Sequence, residues 1–136
     1  MDRSTRTLLG AIDLIRPGNC LIIGFAALVG YTIGGGSDPL KASLLFLGAA
    51  MLGAWGNIIN DFFDLEVDKV NKPWRPLAKG IIAPRQGLTL GLLLASLGIA
   101  SSIYVSLVCG ALAVASFLLL FIYSWRAKSS GPQEDR

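Results

Sequence analysis

Gln86 to Trp125 reads QGLTLGLLLASLGIASSIYVSLVCGALAVASFLLLFIYSW, 40 consecutive residues without a charged side chain. As one helix this stretch would be about 60 Å long, twice the ~30 Å hydrocarbon thickness of a bilayer, so it must fold as two crossings. The division falls near Leu107–Gly110, where Gly110 and neighbouring serines are the only marks of a break. Two further uncharged runs, Pro17–Ser37 with 21 residues and Ala42–Asn60 with 19, each fit one crossing. Over 136 residues the chain is 53% hydrophobic and 15% charged, and a soluble helical protein could not hide so much apolar sequence, because its helices need a polar face. The fold class expected is all-α: an integral membrane helical bundle of about four transmembrane helices. The spans are placed roughly at Cys20–Gly35, Ala42–Phe63, Gly87–Ser106 and Cys109–Trp125. A short N-terminal interfacial helix, Thr5–Ile15, precedes them and ends at Arg16-Pro17-Gly18. Residues 1–128 form one membrane domain, followed by a polar tail at 129–136.

Composition excludes several chemistries. There is no histidine, which removes Ser-His-Asp triads, imidazole bases and His-ligated zinc. Cys20 and Cys109 sit inside apolar runs without CxxC spacing, so neither a disulfide framework nor a thiolate metal site is supported. The net charge of +3 does not point to nucleic acid, since the basic residues flank the spans. With four spans, 11 of the 12 basic residues fall on one side, leaving only Lys41 opposite. The positive-inside rule makes that side the cytoplasm, with both termini there and the chain in the cell membrane. A cleaved signal peptide is not expected, because no A-x-A site follows the first apolar run and Asp13 lies in the would-be basic region. Gly30/Gly34 and Gly87/Gly91 have the spacing that lets membrane helices approach closely.

The end of the second span reads Asn57-Ile58-Ile59-Asn60-Asp61-Phe62-Phe63-Asp64-Leu65-Glu66-Val67-Asp68. On a helix with Asn60 at zero, Asp64 falls at about 40°, Asn57 at about 60°, Asp68 at about 80° and Asp61 at about 100°. Five oxygen-bearing side chains thus share one face, and Glu66 points away. Like charges there repel, and the first lies near hydrocarbon, where ionisable groups are costly. A hard divalent cation offsets that cost, and oxygen donors without sulfur or imidazole suit Mg²⁺ bridging carboxylates to substrate phosphates. The plainer reading is a helix end with solvated acids; the register of Asn and Asp at i, i+4 and i+8 argues against it.

Lys69-Val70-Asn71-Lys72-Pro73-Trp74-Arg75-Pro76-Leu77-Ala78-Lys79-Gly80 follows, and its prolines and closing glycine predict an ordered, non-helical loop. Its cations stand beside the acidic face, where Arg75 and Lys79 could reach an anion held by Mg²⁺. A positive-inside loop that binds lipid headgroups accounts for the same residues.

Asn60-x-x-x-Asp64-x-x-x-Asp68, then Asn71-Lys72-Pro73-x-Arg75-Pro76 and Lys79-Gly80, resembles the first aspartate-rich motif of the UbiA-type intramembrane prenyltransferases. Arg16-Pro17-x-Asn19-Cys20 adds to the likeness, which is greatest to the archaeal digeranylgeranylglyceryl phosphate synthases, makers of ether-lipid precursors. The resemblance runs over residues 8 to 126. It implies a helical fold with a central cavity open to lipid, where two aspartate-rich motifs hold a prenyl diphosphate through Mg²⁺. On that likeness Asn60, Asp64 and Asp68 form the metal-binding and catalytic set, with Asp61 a neighbouring metal contact. Arg75 and Lys79 steady the diphosphate. Tyr123 matches the tyrosine of a family Tyr-x-x-x-Lys pattern, but Ala127 stands where the lysine belongs, leaving Arg126 or Lys128 to substitute.

The second aspartate motif of the family has no counterpart here, since Glu134 and Asp135 lie in the Gly/Pro tail. The resemblance therefore matches an N-terminal half, with a missing C-terminal half or a homo-oligomer as implied partner. The implied reaction is Mg²⁺-dependent transfer of a prenyl (geranylgeranyl-like) group from its diphosphate to a lipid or aromatic acceptor, foremost a glycerol-phosphate ether-lipid precursor. Phe62, Phe63, Trp55 and Tyr123 are candidates to stabilise the allylic cation, against a simpler role as interface anchors. The alternative is a truncated, non-catalytic membrane protein that binds prenyl diphosphate or a partner subunit. An ion channel or carrier is suggested only by acids near a membrane. A CDP-alcohol phosphotransferase is excluded, because its Asp-Gly and Ala-Arg pattern does not surround Asp61–Asp68.

Overall fold

A computed structural model of the chain describes residues 1–129, and among these every regular element is a helix. Residues 130–136, with most of the expected polar tail and Arg136, lie outside the described residues. Helix α1 (Arg3–Ile15) starts behind Asp2, whose Oδ1 accepts the Thr5 amide at 2.7 Å. That bond holds the Asp2 carboxyl below its ordinary range. The helix stops at Arg16, in the left-handed region at φ 56°, and α2 (Pro17–Ile33) starts at once with proline in its first turn, where no donor is needed. The two helices meet at 45°. A non-glycine residue in that conformation costs about 1–2 kcal/mol. Bonds from outside the turn offset it: the Ile15 carbonyl accepts Asn57 Nδ2 at 2.7 Å and Cys20 Sγ at 3.3 Å.

Asp38 caps α3 (Pro39–Phe63), its Oδ1 accepting the Leu40 amide at 2.9 Å. After Asp64 the chain runs on as α4 (Leu65–Asn71), then the single turn α5 (Pro76–Lys79), α6 (Pro84–Val105) and α7 (Leu107–Ser129). The break within the long apolar run is one extended residue, Ser106, just before the expected stretch. One expectation needs correction. The segment Lys69–Gly80 is mostly helical, because Pro76 sits at a helix start where its missing N–H is harmless and Gly80, at φ 81°, terminates the turn. The span placed at Cys20–Gly35 is α2, whose 17 residues reach only about 25 Å. Three helices, α3, α6 and α7, are long and apolar enough to cross a bilayer alone; the pair α1 and α2, bent by 45°, supplies a fourth candidate, with α2 packed along α3.

Helix α3 is the hub, packing against α1, α2, α6 and α7. Trp55, Ile58 and Ile59 on it are 0–1% exposed. The Trp55 ring stacks on Phe117 at 4.7 Å and its Nε1 donates to the Phe117 carbonyl at 3.3 Å. Trp55 is thus a packing residue rather than a ring facing substrate. Outward-facing positions are apolar: Ile22, Phe25, Ile33, Leu93, Leu107 and Leu112 are each more than half exposed. Such a surface is stable only in lipid, and the protein is a multi-pass membrane protein.

Lipid tails are as apolar as leucine, so these helices associate through close van der Waals contact rather than by escaping water. Glycine provides the closest approach. A Cβ on Gly98 would lie 2.8 Å from the Gly48 carbonyl oxygen, and one on Gly48 would lie 2.8 Å from Ser101 Oγ. Gly91 backs onto Trp55 and Ile58, and Gly87 onto Leu77, as their spacing suggests. The Gly30/Gly34 pair does not do this among the described residues: Gly30 has open space and Gly34 meets only its own helix. Gly98→Val is expected to lower stability in detergent by about 1–3 kcal/mol, whereas Gly30→Ala should stay within ~0.5 kcal/mol; thermal unfolding of both variants checks the contrast.

Candidate functional site

Along α3, Ala49, Leu52, Gly53, Gly56, Asn57 and Asn60 recur at helical spacing and form one stripe, apolar first and polar at its end. The stripe is one wall of a cavity of about 530 Å³. Helix α2 contributes Ile23, and α7 contributes Leu119, Leu120, Tyr123 and Ser124. The space depends on small residues, since a Cβ on Gly53 would lie 2.7 Å from Ile23 and one on Gly56 3.1 Å from Leu120. Arg16, at the α1–α2 bend, also lines it. The arrangement suits a molecule with an apolar chain and a polar or anionic head.

The acidic face divides. Asp61 is 3% exposed and accepts from Arg16 Nη2 at 2.6 Å and from Arg75 Nη1. Asp68, 5% exposed, lies 3.6 Å from the same Arg75 nitrogen. Asn60 Nδ2 donates to Asp64 Oδ2 at 3.2 Å, and both side chains are only partly buried. Glu66 points away, as its helical angle indicates, and pairs with exposed Lys69 at 3.0 Å. Five oxygen-bearing side chains therefore do not form one array. Asp61 and Asp68 are drawn to Arg75, Asn57 is bonded to the Ile15 carbonyl, and Asn60 and Asp64 stand as a pair.

For a metal ion, the donor type fits and a ready-made cage is absent. Asn60, Asp64 and Asp68 offer hard oxygen donors, and Mg²⁺ commonly binds through one or two carboxylates with substrate phosphates completing its shell. Among the described residues no three carboxylate or thiol side chains are grouped to hold a cation. Asp61 is the donor least suited to it, since two guanidiniums already share its carboxylate.

Tyr123 shares the cavity with Asn60. Phe62 and Phe63 are partly buried and pack edge to face at 5.6 Å; Phe63 also meets Phe121, and Lys128 Nζ sits 6.0 Å from its ring. Arg126 is exposed at the same end of α7. Lys79 is elsewhere, lining a separate cavity beside α1. Arg16 is a further residue of the site, lining the cavity and bonded to Asp61. Its charge fits the topological pattern and its Pro17 neighbour reads as a helix stop; Arg16-Pro17-x-Asn19-Cys20 is the one sequence signal at this position, and the contact with Asp61 reveals the role.

The fold and this site define a membrane-embedded helical protein with an apolar cavity whose polar end is lined by Asn57, Asn60, Tyr123 and Arg16. The profile of the UbiA prenyltransferase family matches residues 20–135, and the chain belongs to that family. It is 38% identical over 119 residues to a digeranylgeranylglyceryl phosphate synthase of Thermococcus sibiricus, covering 86% of this chain and 43% of that protein. It is 37% identical to the Methanopyrus kandleri protein of the same name, covering 88% and 44%. A solved structure described as "Structural and mechanistic insights into the biosynthesis of Digeranylgeranylglyceryl phosphate synthase in membranes" superposes with a TM-score of 0.85 at 34% identity, covering 90% of this chain and 44% of that one. The chain thus spans less than half the length of these relatives.

Removing the Asp61 charge strands two arginines, one of them 19% exposed. Asp61→Asn is expected to cost about 3 kcal/mol, against less than ~1 kcal/mol for Glu66→Gln, whose ion pair is exposed. Chemical or thermal unfolding in one detergent measures both.

Proposed function

We propose that this chain supplies the prenyl-diphosphate-binding half of a Mg²⁺-dependent prenyltransfer site. The transferred group is geranylgeranyl-like, and the acceptor is a lipid or aromatic molecule, foremost a glycerol-phosphate ether-lipid precursor. The observation that carries this reading is the continuous stripe on α3, an apolar wall from Ala49 to Gly56 that ends at Asn60, with Asp64 one turn beyond. Membership of the family and the printed names of its relatives support the choice of chemistry.

In this reading Asn60, Asp64 and Asp68 would hold Mg²⁺, which when bound offsets the charge of the diphosphate leaving group. The remaining work belongs to the chain. Ile23, Leu52, Leu119 and Leu120 enclose the prenyl tail and keep water from the allylic carbon. Arg16 and Tyr123 face the polar end of the cavity and meet the diphosphate there. Arg75 stands behind Asp61 and Asp68, where it orders both carboxylates and adds positive charge for the diphosphate. Arg126 and Lys128 add positive charge from the end of α7. Lys79 is left out of this set because it faces the other cavity. As the allylic C–O bond breaks, diphosphate leaves with the electron pair; an acceptor hydroxyl oxygen forms the new C–O bond and gives up its proton. The acidic end of α3 lies on the cytoplasmic side, with both termini, by the distribution of basic residues.

The test is binding of geranylgeranyl diphosphate to the purified chain in detergent, with and without Mg²⁺, for wild type, Asp64→Ala and Asp68→Ala. Wild type should bind at least about tenfold more tightly with Mg²⁺, and each variant should lose most of that gain. Equal binding by all three, with no effect of Mg²⁺, overturns the reading. Prenyl transfer to a glycerol-phosphate lipid acceptor, assayed on the same samples, separates a complete site from one that binds without turnover.

A further inference from the structure

The first turns of α1 and the turn after α5 enclose a second cavity, of about 980 Å³, that the reading above does not use. Arg3, Arg6 and Lys79 line it, with Asp13 as its one acidic side chain. Among the described residues no ion pair joins any of these three cations to a carboxylate. All three are exposed, so their summed positive charge is open to an anion from outside and attracts one.

The cavity is shaped by the fold rather than by chance proximity of surface charges. Lys79 reaches the face of α1 because the chain passes very close at Gly10, where a Cβ would lie 2.8 Å from Ile81 Cγ2. Gly80, at φ 81°, turns the backbone so that α5 ends there. On the wheel Arg3, Arg6, Gly10 and Asp13 fall on the side of α1 that faces this turn, and Leu8 and Ile12 fall opposite. Leu8 is 62% exposed, Leu9 48% and Ile12 43%. Leu9 also lines the cavity. A cationic pocket lined also by the apolar side chains of Met1, Leu9 and Ile81 matches a ligand with a phosphate at one end and hydrocarbon at the other. A soluble anion would use the cations and leave that apolar lining without a role. An interfacial helix presents that combination at the depth of the phospholipid headgroups.

We infer that Arg3, Arg6 and Lys79 form a binding site for the phosphate headgroup of an anionic phospholipid, separate from the cavity at Asn60. The site anchors α1 to the bilayer surface while Leu9 and Ile81, in the same cavity, meet the acyl chains. It stands whether or not the acidic end of α3 performs prenyl transfer.

The test uses the full chain in neutral detergent, titrated with phosphatidylglycerol or phosphatidylcholine and read by native mass spectrometry. Wild type should prefer phosphatidylglycerol, and Arg3→Gln/Lys79→Gln should bind it about tenfold less tightly. The control Lys69→Gln/Lys72→Gln removes the same charge outside the cavity and should change binding less than about twofold. Arg3→Lys/Arg6→Lys keeps the charge, should retain the preference, and reads out the site if the glutamine variant fails to fold. Equal affinity for the two lipids, or equal losses in the cavity variant and the control, overturns the inference. A parallel titration with inorganic phosphate identifies the source: displacement of phosphatidylglycerol at millimolar phosphate would assign the site to a soluble anion and overturn the lipid assignment.

Discussion

The Asp61 carboxylate is the point on which the polar end of this molecule depends. It is 3% exposed and shared between Arg16 and Arg75. Those three residues come from the α1–α2 bend, from the end of α3 and from the segment before α5, so one buried ion cluster joins parts of the chain far apart in sequence. A buried carboxylate with a single partner seldom recovers its desolvation cost. Two guanidiniums do so better, and each remains partly solvated, which lowers its own cost. Arginine suits both positions because its planar fork bonds one carboxylate oxygen and still presents further donors.

Much else follows from that cluster. Arg16 is held in a left-handed backbone conformation, and the Ile15 carbonyl freed by the bend is taken by Asn57. Arg75 is drawn inward and faces Asp68 as well, so its charge is spent partly on the chain's own acids. Asn60 and Asp64 are left as the accessible pair, next to the apolar cavity. Division of labour along one acidic segment thus results from where the cations come to rest, rather than from differences among the acids.

Membrane placement imposes the second constraint. With no gain from hiding apolar surface from lipid, helix association rests on close fit. Gly48 and Gly98 bring the α3 and α6 backbones together, while Gly53 and Gly56 let Ile23 of α2 and Leu120 of α7 come close to α3 at the cavity wall. The same residue type tightens the helix contact on one side of α3 and thins the cavity wall on the other. Trp55 shows the consequence for aromatic rings: its plane is committed to Phe117, and Tyr123 instead reaches the cavity.

What could be read without coordinates is what depends on local chemistry and on the solvent. Uncharged runs of 21, 19 and 40 residues require a helical membrane protein, since a bilayer leaves backbone groups no partner but their own helix. Spacing of Asn60, Asp64 and Asp68 identified the polar end of α3 and its hard-oxygen character, because helical periodicity is a property of the chain itself. Tertiary structure alone decided that Asp61 faces arginines, that Gly48 and Gly98 rather than Gly30 and Gly34 pack closely, and that Lys79 turns towards α1. The physical reason is that side-chain direction on one helix is set by 3.6-residue geometry, whereas the partner it meets is set by how separate helices close around α3. Charge pairing and van der Waals fit across those contacts depend on positions tens of residues apart, and no local pattern encodes them.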